Sequence, residues 1–324
     1  MIFSFVNARV PRLRRARLPR IIAVLALAGT LVACSAIKTI YSQAPDLAYW
    51  YLDGYADFNG AQSLQVKTGL NKVHTWHRQT QLPAYIDILQ KWQERMPSGI
   101  TANEACETYQ DVRGKLMTVS GQMEGMAVSV TSTMSASQLQ QMERKFAKTN
   151  AEYRADFLDG TPEQKRSKRL KKAVKRAEML YGELQEDQLA AIAQSVDRSR
   201  FNPQLTFGEW QRRQQDVLQT VRSVSSNLPT PPTHTSSEKI RLAIQGLIER
   251  TTESPDAGYR NYLKALTEQS CQSFAELHNK TTPEQRKKAV ETLKNYAQDL
   301  RALTGTSASS SALSSARAIV KPGD

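Results

Sequence analysis

Apolar residues recur along this 324-residue chain at intervals of three and four, not two. Leu170, Val174, Ala177, Tyr181 and Leu184 make one such series, and Ala289, Leu293, Tyr296, Leu300 and Leu303 another. Each set falls on one face of an α-helix. Strand-like alternation bounded by turns is nowhere convincing. A second local pattern marks where helices begin: Ser or Thr followed three residues later by Glu or Gln, just ahead of an apolar run. It occurs as Thr101/Glu104, Ser135/Gln138, Thr161/Gln164, Thr206/Glu209, Thr235/Glu238 and Thr282/Gln285. In such a capping box the hydroxyl accepts an otherwise unpaired amide and the longer side chain reaches back to the cap. Pro162 and Pro283 stand at the first helical position, where a missing N–H costs nothing.

These signals predict an all-α protein, an irregular multi-helix bundle of about nine to eleven helices. Breaks are expected near Pro45, Asn59-Gly60, Pro83, Pro97–Gly99, Asp159-Gly160, Asn202-Pro203, Leu228–Thr235 and Ser254-Pro255. Pro229-Thr230-Pro231-Pro232-Thr233 reads as a stiff linker over 229–235. It separates a larger helical domain, 34–228, from a helical C-terminal part, 236–304, expected to pack on the first. The Ser- and Ala-rich end, 305–324, has little to bury and is expected to be disordered.

The first twenty residues carry six Arg and no acid and lead into the apolar stretch Ile21–Val32, too short for a comfortable membrane span. Residues 1–33 thus have the shape of a secretory signal. The segment Leu31-Val32-Ala33-Cys34 resembles a bacterial lipobox. That resemblance implies cleavage before Cys34, a diacylglycerol thioether on its sulfur and a further acyl chain on its new amino group. Ser35, in place of the Asp that retains such proteins at the inner membrane, implies the periplasmic face of the outer membrane. Nucleic acid is then out of reach.

Charge and cysteine usage sharpen this picture. The formal charge of +13 falls to +7 once residues 1–33 are removed, so roughly 290 mature residues remain basic. Such a field favours anionic lipid, lipopolysaccharide or an acidic envelope protein as partner. With Cys34 committed to lipid, Cys106 and Cys271 are left in an oxidising compartment, which predicts a disulfide between them.

The densest charge lies in 161–180, where Lys165, Arg166, Lys168, Arg169, Lys171, Lys172, Lys175 and Arg176 surround an apolar stripe. This reads either as a surface for phosphate groups and acidic proteins or as the solvated outer face of a core helix. Within 46–58, Asp53 and Asp57 stand four apart among Tyr49, Trp50, Tyr51, Tyr55 and Phe58. Paired acids beside aromatics suit glycoside hydrolysis, and aromatics this close to Cys34 suit the core or a bilayer interface equally well. His74 and His77 are too few for a metal site. Hydrolase and phosphate-loop motifs are absent, so neither cofactor nor enzymatic activity is expected.

The copies Thr161-Pro162-Glu163-Gln164 and Thr282-Pro283-Glu284-Gln285 resemble the LTxxQ motif of helical periplasmic chaperones and stress sensors, without its leading Leu. More broadly, Cys34, Ala44-Pro45, Leu47–Trp50 with Leu52-Asp53, Trp76-His77-Arg78 to Leu82-Pro83, and Leu277-His278-Asn279 before Thr282–Arg286 resemble a family of uncharacterised proteobacterial lipoproteins. The resemblance runs over nearly the whole mature chain. It implies location and helical architecture and carries over no catalytic residue. The leading expectation is a non-enzymatic binding or scaffolding module of the envelope. An LTxxQ-like chaperone and a wall enzyme using Asp53 or Asp57 are the alternatives.

Overall fold

The helix starts are set at individual amides. Thr101, Ser135, Thr161 and Thr282 each accept, on the side-chain oxygen, the amide three residues on, while Glu104, Gln138, Gln164 and Gln285 bond back to the cap's own amide. One reciprocal box was not expected from the sequence, Asn59 with Gln62; at Gln185 only half of one forms, Gln188 Oε1 accepting the Gln185 amide while the Gln188 amide bonds to Gln185 C=O. The computed structural model describes residues 37–225 and 234–319, without the side chains of 234–236 and of residues beyond 305.

Met1–Ser42 form one unit, of which residues 37–42 are described and are helical. Gln43–Asp324 form the other. Its helices are α1 (Ala44–Ala56), α2 (Gly60–Arg95), α3 (Ala102–Gln122), α4 (Glu124–Thr131), α5 (Ala136–Tyr153), α6 (Pro162–Tyr181), α7 (Glu186–Asp197), α8 (Pro203–Ser225), α9 (His234–Thr252), α10 (Ala257–Asn279) and α11 (Pro283–Ile319). A π-helical turn, Arg154–Leu158, follows α5. The described residues of this unit thus contain eleven α-helices, and the described residues contain no strand. The expected linker, 229–235, falls largely on residues outside the description. The expected disordered tail, 305–324, overlaps the last turns of α11, whose side chains from 306 on are likewise outside it.

Three expected boundaries are corrected. The chain does not break at Pro83, which lies inside α2. Proline in a helix interior costs about 3 kcal/mol, but α2 buries Val66 and Leu70 on one side near its start and Leu82 and Ile86 on the other side around Pro83, and that burial outweighs one missing backbone bond. Thr206 does not begin a helix: Asn202 Oδ1 accepts the amides of Gln204 and Leu205, and Pro203 is the first residue of α8. Thr235 also lies inside its helix, since α9 includes His234, and the Glu238 carboxylate accepts from Arg241.

At 36 residues, α2 is about 54 Å long. It links two cores. One gathers Ala56, Val66, Leu70, Val130, Met134, Leu139, Met142, Leu218 and Val221 from α1, α2, α4, α5 and α8. The other gathers Met96, Ile100, Ala177, Tyr181, Leu184, Ile192, Val196 and Ala289 at the far end of α2 and from α6, α7 and α11. A Cβ on Gly69 would stand 2.7 Å from Met126 Sδ, so glycine sets the close approach of α2 and α4.

The C-terminal helices return along this frame. α11 lies against α2, α10 against α3, and α9 against α8 through Val224, Ile240 and Ile244. Cys106 on α3 and Cys271 on α10 are joined by a disulfide, Cα to Cα 5.4 Å. His278 is fully buried, bonded to Ser98 C=O at 2.8 Å and to the Tyr181 hydroxyl at 2.9 Å. Because a carbonyl can only accept, Nε2 carries the proton, and burial lowers the ring's pKa toward this neutral form. Asn279 then pairs with both the amide and the carbonyl of Ile100.

Two buried glutamine pairs join helix starts head to head. Gln62 Oε1 accepts the Asn59 amide and Gln138 Nε2, and Gln138 Oε1 accepts the Ser135 amide and Gln62 Nε2. Each Nε2 also reaches a carbonyl before the opposite helix, Thr133 or Asp57. Gln188 and Gln285 repeat the scheme with the Gln185 and Thr282 amides and the Lys280 and Glu183 carbonyls. Gln285→Leu leaves the Thr282 amide and the Glu183 carbonyl unpaired and takes one of two bonds from each end of the Gln188 amide, which keeps the Gln185 amide and the Lys280 carbonyl. We expect a loss of about 2–4 kcal/mol, measured by urea unfolding. A loss equal to that of Gln164→Leu, whose capping box is at the surface, would show that the pair contributes nothing beyond a cap.

Candidate functional site

At the end of α5 the backbone loosens into the π-turn Arg154–Leu158, closed by the Asp159 amide on Arg154 C=O at 2.8 Å. Such turns are rare and widen the helix locally. Here the widening sets Phe157 among Tyr153, Phe201 and Lys172, whose Nζ lies 4.9 Å from the Phe157 ring centre. Gly160, at φ +88°, then reverses the chain into the Thr161 cap. A Cβ there would lie 2.7 Å from Gln164 Oε1. α6 consequently runs back past the turn it has just left.

The reversal brings Lys165, Lys168, Arg169 and Lys172 to one side of a cleft of about 270 Å³, with Phe157, Phe201, Pro162 and Pro203 as apolar walls. Lys165 Nζ donates to Leu158 C=O at 3.1 Å and Lys168 Nζ to Ala155 C=O at 3.4 Å. Carbonyls at a helix C-terminus carry partial negative charge, so lysines settle there without a carboxylate. Four cations face one acid, Asp156, in the lining. The volume suits a small anionic group and is too small for a folded domain.

The other predicted basic residues lie elsewhere. Arg166 turns to α7 and holds Asp197 in a two-pronged bond of 2.5 and 2.7 Å, which keeps that carboxyl below its usual range. Lys171 and Lys175 point to solvent, and Arg176 borders a separate depression with Ser195 and Glu276. The eight cations of 161–180 are therefore divided among a cleft, an ion pair and open surface. Spacing on α6 alone could not reveal this, because Phe157, Phe201 and Pro203 come from other elements.

Asp53 Oδ1 accepts the Phe58 amide at 3.0 Å, and Asp57, at φ +48°, ends α1. Both carboxylates sit where the chain turns. The His77 ring lies tilted against Tyr85, ring centres 5.6 Å apart, with its pKa lowered by burial and by His74. Among the described residues no group of three or more His, Cys, Asp or Glu could hold a metal ion. The two TPEQ copies differ in duty: Gln285 belongs to a buried pair, whereas Gln164 serves only its own cap.

Sequence reasoning missed one polar cluster. Glu209, its side chain 4 % exposed, accepts from Arg212 and Arg213 at 2.8 Å and from Ser254 at 3.0 Å. Asp216 and Arg250 extend the network from α8 to α9, with Arg212 also donating to Arg250 C=O. The T-x-x-E pattern at Thr206 hid it, since the same glutamate also read as a helix start.

Fold and cleft together define a wholly α-helical protein with paired helix starts and a small cationic recess at a π-turn. The chain belongs to a family of unknown function, DUF6279, whose model matches residues 54–230. The matched stretch is narrower than the resemblance read from the sequence and ends within the Pro-rich linker. No curated protein and no solved structure matches the chain.

Proposed function

We propose that the protein is a lipoprotein held through Cys34 at the periplasmic face of the outer membrane, where it acts as a non-enzymatic binding module. The observation that carries this reading is the turning of Lys165, Lys168, Arg169 and Lys172 into one recess walled by Phe157 and Phe201. Guanidinium and ammonium donors beside aromatic rings suit a phosphate group on an apolar or sugar body. The ligand chemistry is a phosphorylated amphiphile, whether a glycerophospholipid or lipopolysaccharide.

The test compares two charge reversals of equal size in the mature chain: Lys168→Glu with Arg169→Glu inside the cleft, and Lys171→Glu with Lys175→Glu outside it. Vesicles rich in phosphatidylglycerol and lipopolysaccharide micelles serve as separate probes. The inner pair should weaken binding on the order of tenfold or more, given about 1 kcal/mol per cation near an anionic surface. The outer pair should fall well short of that. Equal losses from both pairs would mean that only net charge acts and that the cleft recognises nothing.

A further inference from the structure

α1 is apolar on both sides. Ala48, Tyr49, Leu52 and Ala56 pack on the core, while Leu47, Trp50 and Tyr51 on the opposite face are each more than half exposed, Trp50 at 75 %. Asp46 and Asp53 mark one edge of this helix, and between that edge and the core the outer strip of Leu47, Trp50 and Tyr51 is as apolar as the face of a helix lying in a membrane interface. We infer that this outer face of α1 rests in the headgroup region of a phospholipid bilayer, laying the helical body on the membrane, an inference that depends on the anchoring reading above.

Three observations select lipid as the occupant. Trp and Tyr beside Leu are the side chains that settle at a membrane interface. Leu47 follows the expected anchor, Cys34, by thirteen residues, at most about 45 Å of extended chain. The third is the direction of α1. Asp57 C=O meets Gln138, Gly54 C=O meets Gln141, and the Tyr55 ring meets Phe146, so α1 runs antiparallel to α5. Its Leu47–Tyr51 end therefore points toward the end of α5 from which the π-turn and the cationic cleft depart. An apolar aromatic face and a phosphate-attracting recess at the same end of the molecule complement a bilayer of anionic lipid.

The lipidated full chain, reconstituted in phosphatidylethanolamine–phosphatidylglycerol vesicles with brominated acyl chains, tests this through Trp50 fluorescence. Bromine should quench the Trp50 contribution strongly and the vesicle should shield it from iodide; both effects should vanish in Trp50→Phe, which leaves Trp76, Trp92 and Trp210 as background. Palmitate labelling of wild type and Cys34→Ser reports the anchor separately, and an unlabelled chain is mixed with the same vesicles and read in the same way. A vesicle-bound protein whose Trp50 is open to iodide and untouched by bromine overturns the inference. Shielding from iodide without bromine quenching, together with a dimeric mass, overturns it in favour of a second copy.

Discussion

Replacing Cys106 and Cys271 together by alanine is expected to lower the free energy of unfolding by about 5 kcal/mol, the largest single effect the structure predicts. The bridge spans a sequence separation of 165 residues, and in the chain-entropy picture a closure of that size restrains the unfolded chain by about that much. Native packing at the site does not depend on the sulfurs alone: Trp92 and Phe274 meet edge-on at 5.6 Å, and Trp92 donates to Thr108 at 2.7 Å. The variant should therefore keep its helical circular dichroism at neutral pH while its denaturant midpoint falls steeply. Reduction of the wild type should reproduce the shift. A change below about 1 kcal/mol would show that the unfolded chain is compact enough to need no tether.

Glu209→Ala should cost about 2–4 kcal/mol, because it takes the buried carboxylate from Arg213 and Ser254 and leaves Arg212 with only Asp216 and the Arg250 carbonyl. The effect carries a pH signature. Burial alone would raise the carboxyl's pKa, but hydrogen bonds from Arg212, Arg213 and Ser254 outweigh burial and hold it at about 2, against an ordinary 4.5. The unfolded chain then takes up this proton more readily than the folded one. The carboxylate's stabilisation is complete above pH 4.5 and drains away as pH falls toward 2. Stability profiles of wild type and Glu209→Gln should differ by a constant above that window and converge within it. Parallel profiles down to pH 2 would exclude Glu209 as the titrating group.

Much of the fold was legible because helix starts are local. Thr101, Ser135, Thr161 and Thr282 carry cap and reciprocal side chain within four residues, so nothing distant is needed to read them. Pro83 was misread for the opposite reason: the penalty is local, whereas the compensation is burial of Leu82, Ile86 and the rest of a 36-residue helix against elements distant in sequence. The glutamine pairs were half visible, since Gln138 and Gln285 read as cap partners while their second bonds cross 76 and 97 positions. The cleft was legible as a charge run only. Which four cations would converge depended on a π-turn that leaves no residue pattern of its own.

The Gln188–Gln285 pair also bears on what counts as a unit of this protein. The stretch shared with the family ends at residue 230, yet Gln188, Tyr181, Ile100 and Cys106 within it are completed by Gln285, His278, Asn279 and Cys271 beyond it. A chain stopped at the family boundary would present donors without acceptors, a bare apolar flank and an unpaired thiol. Kinship and cooperativity draw different borders here. During synthesis the part up to residue 230 must wait, incompletely closed, until the last two helices emerge.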